Sequence, residues 1–158
     1  MSLDAALLKQ SFVLVLERAP DLTARFYDVL FDRYPKARPL FSRNPRGRQE
    51  QMLAGALSAV IDHLEDASWL TEQLAALGAK HVAYGVRAEM YDWVGDALLT
   101  SLAAAAGPDW NDELRAQWTE AYGAIVSLMR AGESLSVVQQ SVVQPCERAD
   151  VEPVSAIA

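Results

Sequence analysis

Apolar residues recur along this chain at the three- and four-residue spacing of helices, and no segment alternates with period two over a useful length. Leu7, Leu8, Phe12, Val15 and Leu16 predict a first helix, with Ser2 or Asp4 as its cap. Pro20-Asp21 ends it and opens a second helix carrying Leu22, Phe26, Leu30 and Tyr34, with Tyr27 and Phe31 widening its stripe. Pro35 and Pro39 bracket a short turn that delivers Leu40 and Phe41, and a loop from Ser42 to Gly47 follows. Gln49, Leu53, Leu57, Val60, Ile61 and Leu64 define a third helix. A fourth, with Ser68 as its expected cap, carries Leu70, Leu74, Leu77 and His81 and runs out near Tyr84-Gly85. After a link over residues 86–90 comes Tyr91, then a fifth helix with Val94, Leu98 and Leu102 that Gly107-Pro108 stops. Asn111 or Asp112 caps the last, which bears Leu114, Trp118, Tyr122, Ile125 and Met129 and reaches toward Glu133. The pattern predicts an all-α domain over residues 1–135 and a flexible tail over 136–158, where Pro145 and Pro153 interrupt any helix.

One residue does not belong to that pattern by type. His81 continues the Leu70, Leu74, Leu77 face where another leucine would serve. Such a histidine is either a core residue hydrogen-bonded to a neighbour or a ligand to a buried metal or cofactor. The only other histidine, His63, lies fourteen residues past Gln49 on the same predicted helix. That is about 21 Å along the axis, so the two cannot face one site and His63 is expected toward solvent. Gln49 and Leu53 are four apart and share a helix face.

Composition narrows the class. The 158 residues are 51% hydrophobic, with a net charge of −7 and a pI near 4.8, which argues against a phosphate-driven nucleic-acid binder. A lone cysteine, Cys146, fits a reducing compartment. No run of about 18 apolar residues could span a membrane, and the first residues lack signal-peptide character, so a cytoplasmic location is expected. Against the acidic total, Arg33, Lys36, Arg38, Arg43, Arg46 and Arg48 form a stretch without an acid. It is either a solvated corner or a contact for an acidic group or partner.

Tyr27, Phe41, Gln49, Leu53 and His81 follow one another in a chain with further local signatures. These are Arg25-Phe-Tyr-Asp-Val-Leu-Phe31, Arg38-Pro-Leu-Phe41, Lys80-His81, Tyr91-Asp-Trp-Val-Gly-Asp-Ala-Leu-Leu99 and Trp118-Thr-Glu-Ala-Tyr-Gly123. Together, over about residues 3–135, they resemble the globin family, and within it bacterial single-domain haemoglobins and the haem domain of flavohaemoglobins. The resemblance implies the globin fold, haem b as cofactor and O2, NO or CO as small ligands. It makes His81 the iron ligand, Phe41 the aromatic against the porphyrin face, and Tyr27 and Gln49 the polar pair of the distal pocket. Leu53 lines the same pocket, and Leu57, Leu77 and Val94 are expected in its walls. Lys80 is placed beside a haem propionate, and the basic stretch is a second propionate contact or a docking site for an acidic reductase. Tyr91 and Glu133 match a proximal pair that hydrogen-bonds around the bound imidazole. Two functions follow as expectations: reversible O2 binding, or nitric oxide dioxygenation with a separate reductase. An oligomer is open to it, with Trp69 or Trp110 as exposed contacts. A sensor or a haem-free helical interaction protein forms a third class.

Overall fold

The computed structural model describes residues 2–140, and these form six α-helices and two short 3-10 turns. The α-helices are α1 (Ala5–Arg18), α2 (Leu22–Arg33), α3 (Arg46–Asp62), α4 (Ala67–Ala83), α5 (Ala88–Ala106) and α6 (Asp112–Gln140). One 3-10 turn, Pro35–Phe41, joins α2 to the loop before α3; the other, Gly107–Asp109, precedes α6. Pro39 falls inside the first, where its missing N–H would break a longer α-helix. α6 continues beyond residue 135, and most of the expected tail lies outside the described residues.

Helix starts follow the capping chemistry with two corrections. Asp4 accepts from the Leu7 N–H at 2.9 Å, and Asn111 accepts from the Leu114 N–H at 2.9 Å. The cap of α4 is Asp66, which accepts from the Trp69 N–H at 3.0 Å, and not Ser68; a carboxylate two residues earlier reaches the free N–H first. α5 begins at Ala88, so Tyr91 lies within a helix and the link before it is shorter than expected. Ala88, Glu89 and Met90 are good helix formers, and nothing in them delays the start.

The larger part of the core joins α1, α2, α5 and α6 through Leu8, Phe12, Val15, Phe26, Leu30, Leu102 and Trp118. Within it the Trp118 indole N–H donates to Ser11 Oγ at 3.1 Å, and that hydroxyl donates to the Leu8 carbonyl. A smaller cluster collects Val60, Leu74, Leu77, Tyr91 and Met129. Here α4 and α6 meet backbone to backbone. A Cβ on Gly78 would sit 1.8 Å from the Met129 carbonyl oxygen, and one on Gly132 would sit 2.0 Å from that of Ala75. Only glycine fits at either position, and this crossing sets where the end of α4 stands.

The two tryptophans expected on an open surface are half-buried. Trp69 stacks on His63 with ring centroids 3.8 Å apart, and Trp110 packs against the larger core. His63 is half-buried too, its Nδ1–H donating to the Ala59 carbonyl at 2.7 Å.

Candidate functional site

Between the middle of α3, the end of α4 and the first half of α5 the helices leave a cleft, with about 930 Å³ of space not filled by atoms, its mouth included. Its walls are almost wholly apolar: Phe41, Leu53, Leu57, Val60, Leu74, Leu77, Val94, Leu98 and Met129 among others. His81 enters this lining with only 6% of its surface exposed.

The local chain explains how the imidazole is held. His81 lies in the last turn of α4, which ends in a Schellman motif: Gly85, at φ 88°, takes the left-handed conformation. The Val86 N–H then donates to the His81 carbonyl at 3.0 Å and the Gly85 N–H to that of Val82 at 3.0 Å. On the side chain, Nδ1–H donates to the Leu77 carbonyl one turn earlier, at 2.8 Å. This fixes the ring plane and makes Nε2 the nitrogen that could ligate a metal. Burial lowers the imidazole pKa, with the Leu77 bond opposing, so the ring is held neutral, as a metal ligand must be.

Tyr91 and Glu133 are brought together beside it. The Tyr91 ring lies 6.3 Å from the His81 ring and inclined by 20°, and its hydroxyl donates to Glu133 Oε1 at 3.2 Å. Burial, and then the Glu133 charge, push the phenol pKa well above its ordinary value. The expected hydrogen bonds around the imidazole are not formed by this pair. The backbone carbonyl of Leu77 takes the ring N–H, because it lies one helical turn from His81 on the same face. Tyr122 braces the arrangement from α6, its hydroxyl donating to the Tyr91 carbonyl.

Tyr27 and Gln49 also come together, in a different compartment. They line a recess with Phe31, Arg38, Phe41, Asn44 and Arg46, about 580 Å³ of space not filled by atoms with its mouth included, and Phe41 borders both spaces. Both are deeply buried, Tyr27 at 1% and Gln49 at 2% exposure. The Tyr27 hydroxyl donates to the Gln49 carbonyl at 3.5 Å and Asn44 Nδ2 donates to Gln49 Oε1 at 3.4 Å, both long. Burial above all pushes the Tyr27 pKa up to about 12, so the phenol keeps its proton to donate.

Lys80 is half-buried and is not among the residues lining either space. The basic stretch divides. Arg33 pairs with Asp96 at 2.8 Å and Arg46 with Asp28 and Glu50 at 2.6 and 2.9 Å, whereas Arg38 lies over Phe31 and Arg43 over Tyr84. Trp93, Tyr122 and Asn44 join the site without having stood out as site residues. Tyr122 reads as ordinary core in the α6 stripe, and Asn44 sits in a loop with no periodicity.

Whether these residues suit a haem can be judged from the donor set. Among the described residues no three His, Cys, Asp or Glu side chains converge, so His81 would be a lone protein ligand to any metal here. A single neutral imidazole in an apolar cleft suits a metal already held by a macrocycle and would not hold a free ion.

Comparison with known proteins places the chain in a family. The globin family's sequence pattern matches residues 24–129. A flavohemoprotein of Bordetella pertussis is 36% identical over 126 residues, 78% of this chain and 31% of that protein. One from Bacillus anthracis is 33% identical over 121 residues, 75% of this chain and 30% of its own length. The chain thus spans about a third of the curated relatives it matches. Among solved structures, an engineered carbene transferase from Rhodothermus marinus, described as a nitric oxide dioxygenase, superposes with a TM-score of 0.75 at 26% identity, covering 89% of this chain and 99% of that one. An all-α chain with a buried imidazole aimed into an apolar cleft, matched over most of its length by the family pattern, belongs to the globin family, whose members bind haem.

Proposed function

We propose that the cleft takes haem b, that His81 would be the residue holding its iron, and that the protein binds O2 reversibly and tightly. Haem iron supplies a coordination site for diatomic gases and a one-electron redox couple. The protein's residues supply the rest. His81, oriented by the Leu77 carbonyl, presents Nε2; Phe41, Leu53, Leu57, Leu77 and Val94 keep water out of the cleft. Tyr27 and Gln49, whose recess meets the cleft at Phe41, are the donors that would hold the gas. The observation that carries this reading is their burial together beside Phe41, with the Tyr27 hydroxyl on a long bond to the Gln49 carbonyl that a better acceptor can replace. Absorption spectra of the ferric, ferrous and CO-treated protein test the haem, since a protein without a Soret band could not work this way. Tyr27→Phe tests the donors, because an unchanged O2 dissociation rate would remove their role.

A second reading is nitric oxide dioxygenation, NO + O2 + e⁻ → NO3⁻, with the electron from a separate reductase in the cytoplasm. The Tyr91–Glu133 bond favours it, since it brings a half-buried carboxylate onto the tyrosine that lies against the imidazole, and negative charge near that ring raises electron density at the ligand. The flavohemoprotein relatives and the Rhodothermus marinus structure point the same way. Mixing the O2-loaded protein with NO in stopped flow should give rapid conversion to the ferric form and stoichiometric nitrate; slow conversion would leave the carrier reading alone. Among the described residues no helix is long and apolar enough to cross a membrane.

A further inference from the structure

The recess beside the cleft is built differently from the cleft itself. Its polar lining consists of the Arg38 and Arg46 guanidinium groups, the amides of Asn44 and Gln49 and the Tyr27 hydroxyl, and no carboxylate lines it. Arg46 has its charge balanced by Asp28 and Glu50, which stand outside the lining. Arg38 does not: among the described residues no carboxylate lies within ion-pair distance of it, and its guanidinium rests over the Phe31 ring at 5.0 Å. Such stacking leaves the guanidinium N–H donors open to an anion in its plane. Tyr27 and Asn44 add donors whose present bonds are 3.5 and 3.4 Å long. At the near end of α3 the cap residue is Pro45, which offers no side-chain acceptor, so the free N–H groups of the first turn keep their partial positive charge.

We propose that this recess is a binding site for a small monovalent oxyanion, and that its ligand is nitrate leaving the haem cleft past Phe41. Identifying the anion as nitrate rests on the dioxygenase reading; the anion site itself does not. Planar nitrate matches the planar guanidinium fork of Arg38 as a carboxylate does, and its oxygens can accept from Tyr27 and Asn44. The protein carries a net charge of −7, so an anion formed inside needs a local positive exit. Arg38 and Phe41, on one 3-10 turn, put the cation and the partition three residues apart.

The test uses the haem-loaded, CO-saturated ferrous protein, so that iron itself is closed to the anion. Nitrate is titrated at constant ionic strength against chloride, and binding is read from the nitrogen quadrupolar linewidth of nitrate. The expected result is saturable broadening that Arg38→Gln weakens about tenfold or more, while Arg48→Gln, exposed and outside the recess, leaves it unchanged. Broadening that does not saturate, or that Arg38→Gln leaves intact, overturns the site. Occupation of the recess by the haem carboxylates would also block nitrate, and absence of binding for that reason overturns it equally. Rapid NO oxidation without nitrate binding would reject the site and keep the dioxygenase. Nitrate binding without NO oxidation would keep an anion site and reject nitrate as its product.

Discussion

Gly78 offers the sharpest test of how the fold sets the position of His81. A methyl group there would lie 1.8 Å from the Met129 carbonyl oxygen, whereas ordinary contact begins at 3.4 Å. The α4–α6 crossing must therefore open by roughly 1.6 Å, and the atoms in the way are backbone, which cannot rotate aside. Overpacking of this kind destabilises by about 1–3 kcal/mol, and the rigid obstacle places Gly78→Ala at the upper end. Gly123 is the matched control. It lies exposed in α6, and a methyl group added there would meet nothing within 4 Å, so Gly123→Ala should stabilise by about 0.5–1 kcal/mol through helix propensity. Urea unfolding of both variants, with slopes compared to exclude a change in cooperativity, should separate them by on the order of 3 kcal/mol. Because Gly132 meets α4 across the same crossing, Gly78→Ala and Gly132→Ala together should cost less than the sum of the two. If Gly78→Ala proves as stable as Gly123→Ala, close approach of these helices is not what seats His81.

Three further outcomes follow from the same structure. Tyr27→Phe should speed O2 release about tenfold or more, the equivalent of one hydrogen bond of about 1.5 kcal/mol, in a stopped-flow displacement experiment. Glu133→Gln should lower the Tyr91 pKa, read by ultraviolet titration of tyrosinate, because it removes the negative charge, while burial, the larger cause, keeps the value above ordinary. The Asp96 carboxyl is held below its usual range, first by the Arg33 hydrogen bond and then by that from Tyr34. A depressed folded pKa means stability that is present above the unfolded value and is lost as pH falls through the folded one. Wild type should therefore exceed Asp96→Asn in stability at neutral pH, and the gap should close on acidification; a gap that stays constant down to acid pH would show that Asp96 acts by packing alone.

Helical spacing was enough to reveal an all-α chain, its breaks at Pro20, Pro35 and Gly107, and a histidine out of type on the Leu70–Leu77 face, because periodicity and capping are local properties. Residue order, by resemblance, was enough to name Tyr27, Phe41, Gln49 and His81 as a set. What tertiary structure decided is which of these share a compartment and which partner each one takes. The His81 N–H goes to the Leu77 carbonyl and the Tyr91 hydroxyl to Glu133, a division that depends on ring orientation and on a helix crossing only two glycines allow. The arginines that sequence placed in one basic stretch separate into paired and unpaired ones, since their partners Asp28 and Asp96 come from other helices. Pairing across the fold is a matter of distances between segments far apart in the chain. Spacing along a single helix cannot encode them.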